Sequence, residues 1–173
     1  MKLTSQFFPL VACAAMVIAF APRAKAEYDI KDYRAESHLN AFAMYLLPET
    51  KEAEKSWGGG FSFDFFFNEN LGTSFAAAFA DPETGDMWQT YTLDFNLRFP
   101  VDEGGLAPYI LVGGGAFVAD GSEMLARGGA GLDIRFLPLP LFIDWIYTFT
   151  SGSGAPEQSG DFQTIRFGTR LVF

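Results

Sequence analysis

The end of the chain alternates strictly. From Gln163, one set of positions reads Gln163, Ile165, Phe167, Thr169, Leu171, Phe173, and the other Thr164, Arg166, Gly168, Arg170, Val172. Strand side chains point to opposite faces in turn, so this is one apolar face backed by one carrying two arginines. The same period recurs upstream. Trp57, Phe61, Phe63, Phe65 and Phe67 oppose Ser62, Asp64 and Asn68, and Tyr91, Leu93, Phe95, Leu97 and Phe99 oppose Thr90, Thr92, Asp94, Asn96 and Arg98. Leu132, Ile134 and Phe136 oppose Arg127, Asp133 and Arg135; Leu141, Ile143, Trp145, Tyr147 and Phe149 oppose Asp144, Thr148 and Thr150.

With turns as punctuation, the pattern predicts eight strands, roughly His38–Leu47, Trp57–Phe67, Leu71–Ala80, Trp88–Phe99, Ala107–Val118, Ala126–Leu137, Pro140–Thr150 and Gln163–Phe173. Each is near the ~9–11 residues of a tilted membrane-spanning strand. Connections two, four and six ("NEN", "PVDEGGL", "PLP") are mostly short. Connections one, three, five and seven ("PETKEAEKS", "DPETGDM", "ADGSEML", "SGSGAPEQSGDF") are longer and more acidic. An even number of antiparallel strands, with turns at one end and loops at the other, is the layout of an outer-membrane barrel. Two strands stay unassigned. In the first, Asn40 is in phase with Phe42, Met44 and Leu46; the fifth, "PYILVGGGAFV", is apolar on both faces.

A soluble sandwich would alternate as well. The polar face favours the barrel: it is poor in Lys and Glu and rich in Arg, Asp, Thr and Gly, which suit a narrow interior where Arg meets Asp in fixed geometry. The expected fold is therefore all-β, an eight-stranded antiparallel up-and-down transmembrane β-barrel. A soluble lipocalin-like or sandwich fold is the alternative.

The N-terminus adds a compartment. Lys2, an apolar stretch from about Phe7 to Ala21, and "AKA" at Ala24–Ala26 read as a signal peptide over residues 1–26, leaving one barrel domain over 27–173. "LVAC" at Leu10–Cys13 offers a rival lipoprotein reading, against which stands the apolar "AAMVIAFA" that would follow the lipid. Cys13 is the only cysteine, so the exported domain has no disulfide. From Glu27 onward nine Lys and Arg stand against 21 acids, a net charge of −12, which opposes nucleic-acid binding. No segment after the signal has the ~20 continuous apolar residues of a membrane helix.

The chain resembles the small eight-stranded outer-membrane barrels of the OmpA/OmpX type. The resemblance spans the signal and essentially all of the remainder, and rests on strand count, loop asymmetry, the closing "FGTRLVF" and the Gly-rich "PYILVGGGAFV" and "GGAGLDIRF". It implies that Phe167, Gly168, Leu171 and the terminal aromatic Phe173 are read by the barrel-assembly machinery. Larger relatives carry a peptidoglycan-binding domain after the barrel; with the chain stopping at Phe173, that role is not expected here.

Nine charged residues are expected inside: Asp64, Asp94, Asp133, Asp144, Arg98, Arg127, Arg135, Arg166 and Arg170. An eight-stranded barrel has room only for side chains or one small ligand, and buried charges must be paired, so they are read as a lumen-filling ion-pair network. Asp144 is expected to accept hydrogen bonds from Arg135, Arg166 or Arg170. Trp57, Trp88, Tyr147 and Phe149 are assigned to a lipid–water girdle on the loop side.

Catalysis finds little support. His38, the only histidine, stands beside Ser37 and Glu36, but adjacent strand residues face opposite ways, and a histidine at a strand start on the turn side reads as interfacial. "DPETGD" lacks the ligand order of a calcium loop, and no cofactor motif is visible. The expected function is a structural or interaction barrel, in contact with outer-membrane lipid, that contributes to envelope integrity and presents acidic loops. A small-solute transport barrel is the alternative, and a lipid-modifying enzyme the remoter one.

Overall fold

The structure, a computed structural model, describes residues 32–49, 55–81, 87–101, 104–119, 121–151 and 160–173. The expected signal peptide, residues 1–26, and most of the acidic loop residues lie outside these ranges. Eight strands follow one another along the chain: β1 (Glu36–Pro48), β2 (Ser56–Phe66), β3 (Leu71–Ala80), β4 (Trp88–Arg98), β5 (Leu106–Val118), β6 (Ser122–Ile134), β7 (Leu141–Thr150) and β8 (Phe162–Val172). Each pairs antiparallel with the next, and β8 returns to β1, closing the barrel. Closure leaves no unpaired edge.

The alternation sorts side chains into an apolar exterior and a mixed interior. Phe61, Phe63 and Phe65 of β2, Leu93 and Phe95 of β4, Ile143 and Trp145 of β7, and Ile165 and Phe167 of β8 are all exposed, while Ser62, Asp64, Asp94, Asp144 and Arg166 between them are buried. In water, so much exposed aromatic and aliphatic surface would be a liability; it is what a lipid-facing barrel presents.

The two unassigned strands now have faces. On β1, Glu36, His38, Asn40, Phe42, Met44 and Leu46 point inward, and on β5 Ala107, Tyr109, Leu111 and Phe117 do. The loop-side half of the lumen is itself apolar. Phe42, Met44, Leu46, Ala78, Ala80, Phe117, Leu125 and Phe162 form a buried cluster that Phe142 extends toward the turn side, so both faces of these strands read as hydrophobic.

One boundary is corrected. β6 starts at Ser122, four residues before the expected Ala126, so most of "ADGSEML" is strand rather than loop. Glu123 and Leu125 face inward and Met124 outward, continuing the alternation beyond the point where the loop-like composition suggested a break. The β4–β5 turn is tightened by Gly105, whose positive φ of 61° puts it in the left-handed region, and whose carbonyl accepts from the Arg135 amide at 2.6 Å.

Candidate functional site: the charged lumen

All nine charged residues expected in the lumen are buried there. They form linked groups on neighbouring strands. Arg127 of β6 reaches over β5 to Asp94 of β4: its Nε donates to Oδ1 at 2.8 Å, and its Nη2 makes a second, very short bond to Oδ2. Gly113 is the register partner of both residues, and its missing side chain is what lets the guanidinium cross. Arg166 clasps its cross-strand partner Asp144 in the same forked way, Nε to Oδ1 at 2.9 Å and Nη2 to Oδ2 at 2.7 Å. The Tyr109 hydroxyl also donates to Asp144, at 2.7 Å. Of the three arginines considered for Asp144, Arg166 is the one that binds it; Arg170 and Arg135 go to Asp133.

The remaining charges gather toward the turn side. Asp133 Oδ2 accepts from Arg135 Nη2 and from Arg170 Nη1, each at 3.1 Å. Glu36 takes Arg98 Nη1 at 2.7 Å and Arg135 Nη2 at 2.6 Å on Oε1. Glu36 was not among the expected lumen charges, because the predicted strand began two residues later. It raises the carboxylates facing these five arginines to five, with Asp64, Asp94, Asp133 and Asp144. Glu123 is a further buried carboxylate at the loop end. Asp64 differs from the other four: it accepts from Asn40 Nδ2 at 2.7 Å and from Ser62 Oγ at 3.1 Å, and among the described residues no arginine pairs with it directly.

His38 is corrected from interfacial to buried: it is 0% exposed, with Nε2 at 3.0 Å from Glu36 Oε1. Its side of β1 faces the lumen because Asn40 and Phe42 share its phase. Serine-type catalysis gains nothing from this, since Ser37 lies on the other face of the strand. Among the described residues, no group of three His, Cys, Asp or Glu could hold a metal ion.

Tyr33, which the pattern of strands could not have flagged, closes the turn side. Its ring lies against two guanidinium groups, 4.6 Å from Arg98 and 4.1 Å from Arg135, and its hydroxyl donates to the Asp133 carbonyl at 3.4 Å. Arg98 Nη2 also donates to the Arg34 carbonyl at 3.3 Å, drawing the segment before β1 across the mouth. Burial pushes the Tyr33 hydroxyl pKa well above its usual value, and the Asp133 carboxylate adds to the effect. Between the charged and apolar zones, a cavity of about 20 Å³ is lined by Arg127, Arg166, Thr90, Thr148 and Thr164 together with apolar side chains. That is room for about one water molecule.

The expected girdle divides. Trp57 is exposed and packs on Tyr45 at 4.9 Å, and Tyr147 and Phe149 pack together at 4.6 Å. Trp88 is corrected: it shares the inward phase of Thr92 and Asp94, and stacks edge-on against Phe117 at 5.2 Å inside the loop-side mouth. The apolar lining there receives a large ring that elsewhere in the lumen would have met charge. In the closing strand, Phe167 and Phe173 are exposed and Leu171 is half-buried. Gly168 lies beneath Phe42, where a Cβ would come within 2.7 Å of that side chain. Phe173 exchanges two backbone hydrogen bonds with Ser37, both 3.0 Å, at the β1–β8 seam.

The barrel superposes on Neisserial surface protein A with a TM-score of 0.61 and 11% identity, covering 79% of this chain and 97% of that one. The fold is that of the small outer-membrane barrels. Ail, the attachment invasion locus protein of Yersinia pestis, matches with a TM-score of 0.53 at 18% identity over 81% of this chain and 99% of its own. The N-terminal β-barrel domain of Pseudomonas aeruginosa OprF matches with a TM-score of 0.52 at 18% identity, over 81% and 100%. No protein-family model matches the sequence, and no curated protein does.

Proposed function

We propose that this chain is a structural and interaction protein of the outer membrane: a rigid barrel that spans the bilayer, contributes to envelope integrity and presents its acidic loops outside. The observation that carries this reading is the filled lumen. Arginine–carboxylate pairs occupy its middle and turn side, aromatic and aliphatic side chains its loop side, and the cavity between them is water-sized. A conduit would need a continuous aqueous path past both zones. A binding barrel would need a pocket of roughly 300 Å³ or more for an ordinary small ligand. The likeness to Ail supports a barrel that can carry outward-facing loops, without naming a partner.

Outer-membrane lipid around the apolar exterior, and the barrel-assembly machinery acting on Phe167, Gly168, Leu171 and Phe173, complete the proposal. Loss of the gene tests it. The mutant envelope should become sensitive to detergents and leak periplasmic protein, with uptake of small nutrients unchanged. A selective uptake defect in an otherwise intact envelope would overturn the structural reading in favour of transport.

A further inference from the structure

His38 Nε2 has two neighbours that make opposite demands. Arg135 Nη2, at 3.1 Å, carries only donor hydrogens, so a hydrogen bond to it requires an unprotonated Nε2. Glu36 Oε1, at 3.0 Å, is an acceptor when ionised and requires Nε2–H. Both demands cannot be met at once. The other ring nitrogen, Nδ1, faces the Asp64 carboxylate at 3.7 Å, which favours a hydrogen on Nδ1 in either case. Nε2 is therefore the atom at which the ring changes state. Neutral His38 accepts from Arg135; cationic His38 donates to Glu36.

The geometry points to a proton-operated latch at the turn-side mouth, in which protonation of His38 breaks its hydrogen bond to Arg135 Nη2 and shifts that guanidinium beneath the Tyr33 cap that rests on it. A proton entering from the turn side forms the Nε2–H bond and breaks the Arg135 Nη2 to Nε2 hydrogen bond. His38 Nε2–H and Arg135 Nη2 then compete for the same oxygen, Glu36 Oε1. Arg135 keeps Asp133, toward which its Nε already points at 3.3 Å, and its Nη1 bond to Glu36 Oε2 at 3.1 Å, so its guanidinium turns about these anchors. Tyr33 lies over the Arg135 guanidinium at 4.1 Å, so movement of that group is felt directly by the cap.

The surrounding charges make the latch reversible. Glu36 on the same strand, Asp64 on β2 and Arg135 just after β6 face the ring, and Arg98 on β4, Asp133 on β6 and Arg170 on β8 are bonded to these groups or to one another one step behind, three cations against three carboxylates in all. Asp64 is the carboxylate without a direct guanidinium partner, so it can receive the added charge. Arg135 opposes that charge from 3.1 Å. The Phe66 ring, 5.2 Å from the imidazole, supplies a wall that does not titrate.

The test follows the folded protein in lipid nanodiscs by NMR between about pH 8 and 5, reading the His38 ring nitrogens and a fluorotyrosine placed at position 33. The two signals should trace one titration curve with a common midpoint, and the fluorotyrosine signal should become independent of pH in His38→Gln. Ionisation of His38 with no response at position 33, a response that survives in His38→Gln, or a His38 ring that keeps one state throughout would each overturn the latch. If His38→Gln does not fold, coincidence or divergence of the two wild-type curves decides.

Discussion

Arg127 grips Asp94 across an intervening strand, and it can do so because Gly113 stands between them without a side chain. Three strands are tied by one forked ion pair, well inside the barrel. Both partners are buried, so removing the acid strands a guanidinium in a region of low dielectric. Asp94→Ala should cost roughly 3–5 kcal/mol, and Asp144→Ala, which strands Arg166, a comparable amount. Asp81→Ala, exposed beside a loop, should change stability by less than about 0.5 kcal/mol. Urea unfolding in lipid vesicles measures all three.

The glycine in that arrangement can be tested on its own. A Cβ at Gly113 would collide with the Asp94 carboxylate and the Leu93 carbonyl, whereas at Gly128 the nearest atom is the Leu111 carbonyl at 3.7 Å, an ordinary contact. Gly113→Ala should therefore destabilise by about 1–3 kcal/mol, the usual range for overpacking, while Gly128→Ala should be tolerated. Equal effects of the two substitutions in the same unfolding assay would contradict the crossing geometry.

The difference between strands that could be read and those that could not has a physical cause. β2, β4, β7 and β8 place Asp64, Asp94, Asp144 and Arg166 among alternating aromatics, so one face declares itself polar. β1 and β5 line the apolar half of the lumen with Phe42, Met44, Leu46 and Phe117, and no contrast between faces remains. Trp88 misled for the same reason: a tryptophan at a strand end suggests an interface, but this end of the lumen is itself apolar. Glu36 and Tyr33 escaped because neither lies within the alternating stretch recognised as strand one. Which arginine serves which acid depends on register and on crossing Gly113, and neither is written in the period of the sequence.

Trp57 and Trp88 offer a direct optical check. Trp57 lies on the exterior, 62% exposed, and Trp88 is packed inside the mouth against Phe117 and Phe162. With the other tryptophans replaced by Phe, brominated lipids should quench Trp57 strongly and Trp88 weakly. Equal quenching would return Trp88 to the lipid face.

Alkaline titration tests the turn-side cap. Tyr33 has a raised pKa in the fold, so it ionises later there than in the unfolded chain, where tyrosine ionises near ~10. The stability it contributes is fully present below that value and is lost as pH rises beyond it. Tyrosinate absorbance should show a late component, and Tyr33→Phe should reduce its amplitude. Tyr33→Phe keeps the aromatic platform for Arg98 and Arg135, so it should remain folded at neutral pH.

Whether the barrel is filled is decided most directly by electrical recording. Purified protein in planar bilayers should show no discrete channel openings above the bare-membrane baseline at neutral pH in molar salt. Reproducible single-channel steps from correctly folded protein, of a size fitting an aqueous path through the barrel, would contradict the filled lumen and with it the structural reading of this chain.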